Sequence, residues 1–143
     1  MDQADRAILK ALAKNARTPI KQLAEQAYLS SPAASARLER LERSGVIKGY
    51  QANLDYEALG LHILAFVNID VTPDKKGTVV EFAQGCPNVL ECHHVTGPHS
   101  LILKVAFAST KDLEAFVGHL QVYARTETQV VFSTPIEPRQ MVE

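Results

Sequence analysis

Cysteine is scarce in this chain. Cys86 and Cys92 are the only two, and no C-x-x-C pair exists, so no disulfide framework is expected and both thiols should be free in a reducing compartment. Long apolar runs are also missing. None approaches the ~20 residues that a membrane span needs. The start, MDQADRAILK, carries acids where a signal peptide would carry basic residues. A cytoplasmic chain with no membrane contact is expected. The signatures of catalysis are absent too: there is no phosphate loop, nucleophile elbow or paired-carboxylate constellation. His94, Cys92 and Ser100 can be imagined as a triad, but no spacing supports one, so no enzyme is expected.

What remains is an ordinary globular composition, 46% hydrophobic and 22% charged over 143 residues, enough for one core or two small ones. The net charge of -1 conceals an asymmetry. Residues 1–50 hold nine Lys/Arg against five acids, a balance of +4, while the remainder carries -5. A basic third on an acidic body suggests that one part alone meets a polyanion.

That basic third is helical in pattern. ADRAILKALAKNA sets Ala4, Ile8, Leu9, Leu12 and Ala13 at helical spacing, with Asp2 near the start and Asn15 as a stop. A second helix is expected from Thr18 as N-cap with Pro19 at its first position, burying Ile20, Leu23, Ala24 and Ala27. A third is expected from Ser31 as N-cap, with Pro32 first, ending at Ser44-Gly45, where glycine supplies a left-handed terminus. VIKGYQANLD then reads as a short hairpin around Lys48-Gly49. Three closely joined helices and a hairpin describe a winged helix-turn-helix.

After a connector, LDYEALG, the periodicity changes. LHILAFVNIDV reads as a strand, KKGTVVEFAQGC as a helix, and VLECHHVT and SLILKVAFA as strands joined through GPH. TKDLEAFVGHLQVY is a second helix and TQVVFSTP a last strand. The order βαββαβ is the ferredoxin-like arrangement. The expected class is therefore α+β: a winged helix-turn-helix over 1–50, a linker over 51–60, and a ferredoxin-like domain over 61–143. Such a sheet covers one face with its helices, so self-association through the other is expected.

The third helix, LSSPAASARLERLERSG with its flanks, carries the functional signal. At about 100° per residue, Ala34, Leu38 and Leu41 share the buried side. Arg37, Arg40 and Arg43 fan along one flank, and Glu39 and Glu42 lie on the other. Its front end is small: Ser31, Pro32, Ala33, Ser35 and Ala36. Small side chains let a helix end enter a groove about 12 Å wide, and hydroxyls and arginines then reach base edges and phosphates. The bland alternative is a solvated amphipathic helix laced by Arg–Glu pairs.

The segments DRAILKALAKNAR, LAEQAYLSSPAASARLERLERSGVIKGYQANLD, VTGPHSLILKV and TETQVVF resemble the Lrp/AsnC, or feast/famine, family of transcription regulators over almost the whole chain. The resemblance implies a dimer that assembles to a tetramer or octamer and binds double-stranded DNA. It implies DNA contacts from Lys21, Gln22, Ser30, Ser31, Pro32, Ser35, Arg37, Arg40 and Lys48, and places Tyr50 on the wing, where packing and DNA contact both stay open. It also implies an effector site near Gly97, Pro98, His99 and Ser100, with Thr126, Glu127 and Thr128. Relatives carry an aspartate where this chain has Ser100, and Gly-Val where it has Val122-Tyr123. An amino-acid-like effector, another ligand and none therefore all stay open, and Glu91 is a candidate substitute carboxylate. Cys92, His94 and His99 raise a zinc hypothesis without a ligand signature; scattered histidines are the simpler reading. No cofactor is expected. A metabolite-binding or assembly protein of this fold, without DNA binding, is the alternative function.

Overall fold

The computed structural model describes residues 1–143. They divide into two compact units, Met1–Asn53 with Ile136–Glu143, and Leu54–Pro135. The tail, assigned from sequence to the second domain, groups with the first unit.

In the first unit, α1 spans Gln3–Lys14, α2 Ile20–Ala27 and α3 Ser31–Arg43. Helix α1 opens with a reciprocal cap. The Asp2 carboxylate accepts from the Asp5 N–H at 3.0 Å, and the Asp5 carboxylate accepts from the Asp2 N–H at 3.0 Å. Ile8, Ala11, Leu23, Ala27 and Leu41 form the core, with Leu29, Leu38 and Ile47 packed against it. These are the apolar positions that the helical spacing places on one side of each element.

Three sequence expectations need correction. Helix α2 begins at Ile20 with Pro19 as its cap position, and Thr18 makes no cap bond; its hydroxyl donates to the Asn15 carbonyl at 2.6 Å instead. Helix α3 begins one residue early: Ser30 is the N-cap, accepting from Ala33 N–H at 3.3 Å, and Pro32 is the second helical residue. The hairpin around Lys48-Gly49 has no paired strands within the chain. The stretch after α3 is tied back to it instead. Gly45 adopts φ +76°, as a left-handed helix end requires. The Ile47 N–H then bonds the Leu41 carbonyl, and the Tyr50 hydroxyl donates to Glu42 Oε1 at 2.7 Å. A two-stranded ribbon is marginal in isolation, and its residues find better partners on α3.

In the second unit, β1 is Ile63–Asp70, α4 Pro73–Gln84, β2 Val89–His94, β3 Leu101–Phe107, α5 Thr110–Gln121 and β4 Arg125–Val130. All pairings are antiparallel, in the order β2-β3-β1-β4, which is the ferredoxin-like topology. The last strand starts earlier than TQVVFSTP suggested and stops before Phe132, because β4 registers from Arg125 against Asp70. Ala65, Val67 and Ile69 alternate onto the helical face with Leu101, Leu103 and Val105, and pack on Val79, Ala83, Leu113, Phe116 and Leu120. Leu64, Phe66, Asn68, Ile102 and Lys104 alternate onto the face without helices.

Candidate nucleic-acid interface and effector loop

The turn between α2 and α3 positions the front of α3. The Leu29 N–H bonds the Ala24 carbonyl at 2.9 Å, dropping Leu29 toward the core and delivering Ser30 to cap α3. Ser30, Ser31, Pro32 and Ala36 are exposed and Ser35 is half-buried, so the groove-facing end is free of bulk. Ser30 Oγ accepts within the chain, which leaves its O–H free to donate outward. Lys21 and Gln22 on α2 and Lys48 after α3 are all exposed.

Arg37 and Arg40 are placed differently from a simple phosphate fan. Both converge on Asp5, which is 1% exposed. Arg40 Nη2 lies 2.8 and 2.7 Å from the two Asp5 oxygens, and Arg37 Nη1 lies 3.2 Å from Oδ1 while also bonding Asp2. Burial alone would raise the Asp5 pKa, but the Asp2 N–H and the Arg37 and Arg40 guanidiniums outweigh it and hold the carboxyl below its usual range. Asp2 is held at about 2 by the Asp5 N–H and then by Arg37. The two arginines thus tie α3 to the start of α1, with only their remaining N–H groups available outward. Arg43 is 81% exposed, its nearest carboxylate Glu39 at 3.9 Å. Tyr50 is held to Glu42; burial and that carboxylate push its phenol up to about 12.

The carboxylate pair was missed in the sequence, although a signal existed. Asp5 sits three residues before Ile8 on the apolar side of α1, where an acid is tolerated only with a partner.

In the second unit, Gly97, with φ +104°, turns the chain between β2 and β3. The loop is closed by Val95 N–H to the Ser100 carbonyl at 3.0 Å and by Ser100 N–H to the Ile69 carbonyl at 2.8 Å. Ser100 Oγ donates to the Val71 carbonyl, so this hydroxyl is spent on β1. His99 Nε2 lies 3.6 Å from Glu127 Oε2, and its Nδ1 is buried without a partner. The carboxylate that reaches the loop is therefore Glu127, whereas Glu91 contacts His93. Thr126 and Thr128 lie opposite Ile69 and Val67 and so share the helical face, where Gln121 Nε2 donates to Thr126 Oγ1. Glu127, opposite Asn68, lies on the other face. The seven candidate residues thus separate into a group of the loop with Glu127 and a pair of threonines turned away from it.

Among the zinc candidates, His94 accepts from Lys76 Nζ at 3.0 Å while His99 reaches Glu127, so the two point to different partners. No group of three or more His, Cys, Asp or Glu residues is arranged to hold a metal. No helix is long and apolar enough to cross a membrane.

Comparison with known proteins accords with this geometry. Residues 1–48 match the model of a winged helix-turn-helix DNA-binding domain, and residues 64–141 that of the Lrp/AsnC ligand binding domain. The chain is 37% identical to the uncharacterized HTH-type transcriptional regulator YezC of Bacillus subtilis, over 94% of this chain and 95% of that one. The solved structure of B. subtilis LrpC superposes with a TM-score of 0.91 at 30% identity, covering 96% of this chain and 99% of that one. A feast or famine regulatory protein from M. tuberculosis, solved in complex with L-methionine, gives 0.92 at 31% identity, with 99% of each chain covered. With both halves matched in order and a 37% identical regulator aligned over 94% of this chain, the protein belongs to the Lrp/AsnC family of helix-turn-helix transcriptional regulators.

Proposed function

We propose that the chain reads a specific double-stranded DNA site with the N-terminal end of α3 and adjusts that binding to a small amino-acid-like metabolite. The observation that carries the first half is the bare, exposed front of α3, held at a fixed angle by the Arg37–Asp5–Arg40 clamp. Ser31, Pro32 and Ser35 enter the major groove, and the outward O–H of Ser30 serves its edge. Lys21, Gln22 and Lys48 meet phosphates, joined by the outward N–H groups of Arg37 and Arg40. Incubating the chain with a randomised duplex pool and sequencing the bound fraction tests this. A recurring motif with two-fold symmetry is expected; an unenriched pool sinks it and favours the DNA-free alternative.

The effector site proposed is the loop of Gly97, Pro98, His99 and Ser100 together with Glu127. Glu127 replaces the aspartate that relatives carry at the Ser100 position and supplies the anion for a ligand's ammonium group. A solved relative holds L-methionine, so amino acids are the first ligands to screen. A ligand of the native state raises its melting temperature. At least one amino acid is expected to do so, and Glu127→Gln is expected to abolish that rise. The uncovered sheet face, with Leu64, Phe66 and Ile102, is the proposed self-association surface of a dimer that builds tetramers or octamers. The protein works in the cytoplasm, by binding and without catalysis.

A further inference from the structure

One residue in the chain other than glycine has a positive φ: Tyr28, at φ 56° and ψ 43°, the left-handed region. It stands at the turn between α2 and α3. That conformation is required there. The Tyr28 N–H bonds the Ala24 and Glu25 carbonyls, and the Leu29 N–H bonds Ala24, so the chain reverses within two residues. Glycine takes this position with least strain, because in the left-handed region Cβ itself crowds the following carbonyl, and asparagine is the next best because its short amide bonds locally. A tyrosine here is strained, and the fold returns nothing for it: the residue is 95% exposed. Backbone strain without a packing return is a mark of functional positions. Just after Tyr28, Ser30, Ser31 and Pro32 form the exposed front of α3, so this exposed residue adjoins the surface that enters the groove.

We propose that Tyr28 is a DNA-backbone contact, its phenolic O–H donating to a phosphate oxygen at the rim of the groove that α3 enters. The proposal rests on the DNA-binding reading above. The turn lies outside the first turn of α3, which favours the rim over the base edges. A phenol is a neutral donor of the kind that positions proteins on the backbone. Being uncharged, it releases no counterion, so it adds affinity without steepening the salt dependence.

The test compares the wild-type chain with Tyr28→Phe and Tyr28→Gly by fluorescence anisotropy on two duplexes, alongside thermal melts. One duplex is a sequence enriched by the wild type from a randomised pool; the other is of mixed sequence. Tyr28→Gly is expected to melt higher, because the strain is gone, yet to bind both duplexes roughly 10-fold more weakly, as the loss of a hydrogen bond to a charged group implies. Tyr28→Phe is expected to lose most of the same affinity with an unchanged melting temperature and an unchanged salt slope. A Tyr28→Phe chain that binds as tightly as wild type overturns the contact, as does a loss confined to the enriched duplex. A lower melting temperature for Tyr28→Gly overturns the strain argument on which the inference stands. A wild type that enriches nothing overturns the DNA reading and this contact together, whereas an indifferent Tyr28→Phe beside a binding wild type overturns the contact alone.

Discussion

Asp5 is the residue on which the first unit turns. A carboxylate with 1% exposure survives only because two guanidiniums and a backbone N–H satisfy it. Removing it takes away the acceptor that Arg37 and Arg40 share and one half of the reciprocal cap of α1. Asp5→Ala is therefore expected to destabilise the chain by about 1–2 kcal/mol in urea titration, as the loss of a helix cap and of charge-assisted hydrogen bonds does; a loss within experimental error would show the clamp to be ornamental. The same geometry sets a pH dependence. Asp2 and Asp5 both titrate below their unfolded values, Asp2 at about 2. The unfolded chain thus binds more protons than the native one in acid, and stability rises with pH through that window. Their contribution is complete above about pH 5 and is lost as pH falls through and below pH 4. Melts from pH 7 to pH 2.5 should show that loss, and Asp2→Asn should reduce it. None of this was evident from composition. Arg37 and Arg40 were legible as a flank of α3, but their partners lie more than thirty residues away in α1, and a long-range pair leaves no local periodicity.

Elements follow the sequence where one physical signal dominates. Helices α1, α2 and α3 were legible because each buries a 3.6-residue stripe, and the sheet because β1 and β3 alternate with period two. Starts shifted by a residue where two capping residues compete: Ser30 and Ser31 are chemically equal, and the Leu29 turn decides between them. The hairpin around Lys48-Gly49 failed for a different reason. Glu42 and Leu41 on α3 offered Tyr50 and Ile47 bonds that a local pattern cannot foresee. For function, the decisive element is the front of α3. Ala36 is exposed, so Ala36→Glu should change stability by less than about 0.5 kcal/mol. It should nevertheless abolish DNA binding, because it puts bulk and negative charge into the groove. Retained binding in a gel-shift assay would mean that α3 enters DNA by another face, or not at all.

At the scale of the whole molecule, a basic helix-turn-helix unit and an acidic ferredoxin-like unit share one chain, which is why the overall charge of -1 says so little. The candidate effector site was legible only in part. The loop Gly97–Ser100 stood out by its turn residues, but which carboxylate serves it depends on the β1–β4 register, which turns Glu127 one way and its threonine neighbours the other. The uncovered sheet face predicts an assembly larger than one chain. Light scattering should give at least a dimer, and Phe66→Glu, a charge set on that face, should reduce the mass; a monomeric wild type would leave the face without a purpose. The most direct trial of the regulator itself is a salt titration of wild-type binding to the enriched duplex and to a mixed-sequence one. With several phosphates neutralised, log K should fall linearly with log salt at a slope of about -0.9 for each phosphate contacted. The preference for the enriched duplex should persist at every salt concentration. Affinity indifferent to salt, or equal for the two duplexes, would contradict a helix that grips phosphates and reads bases.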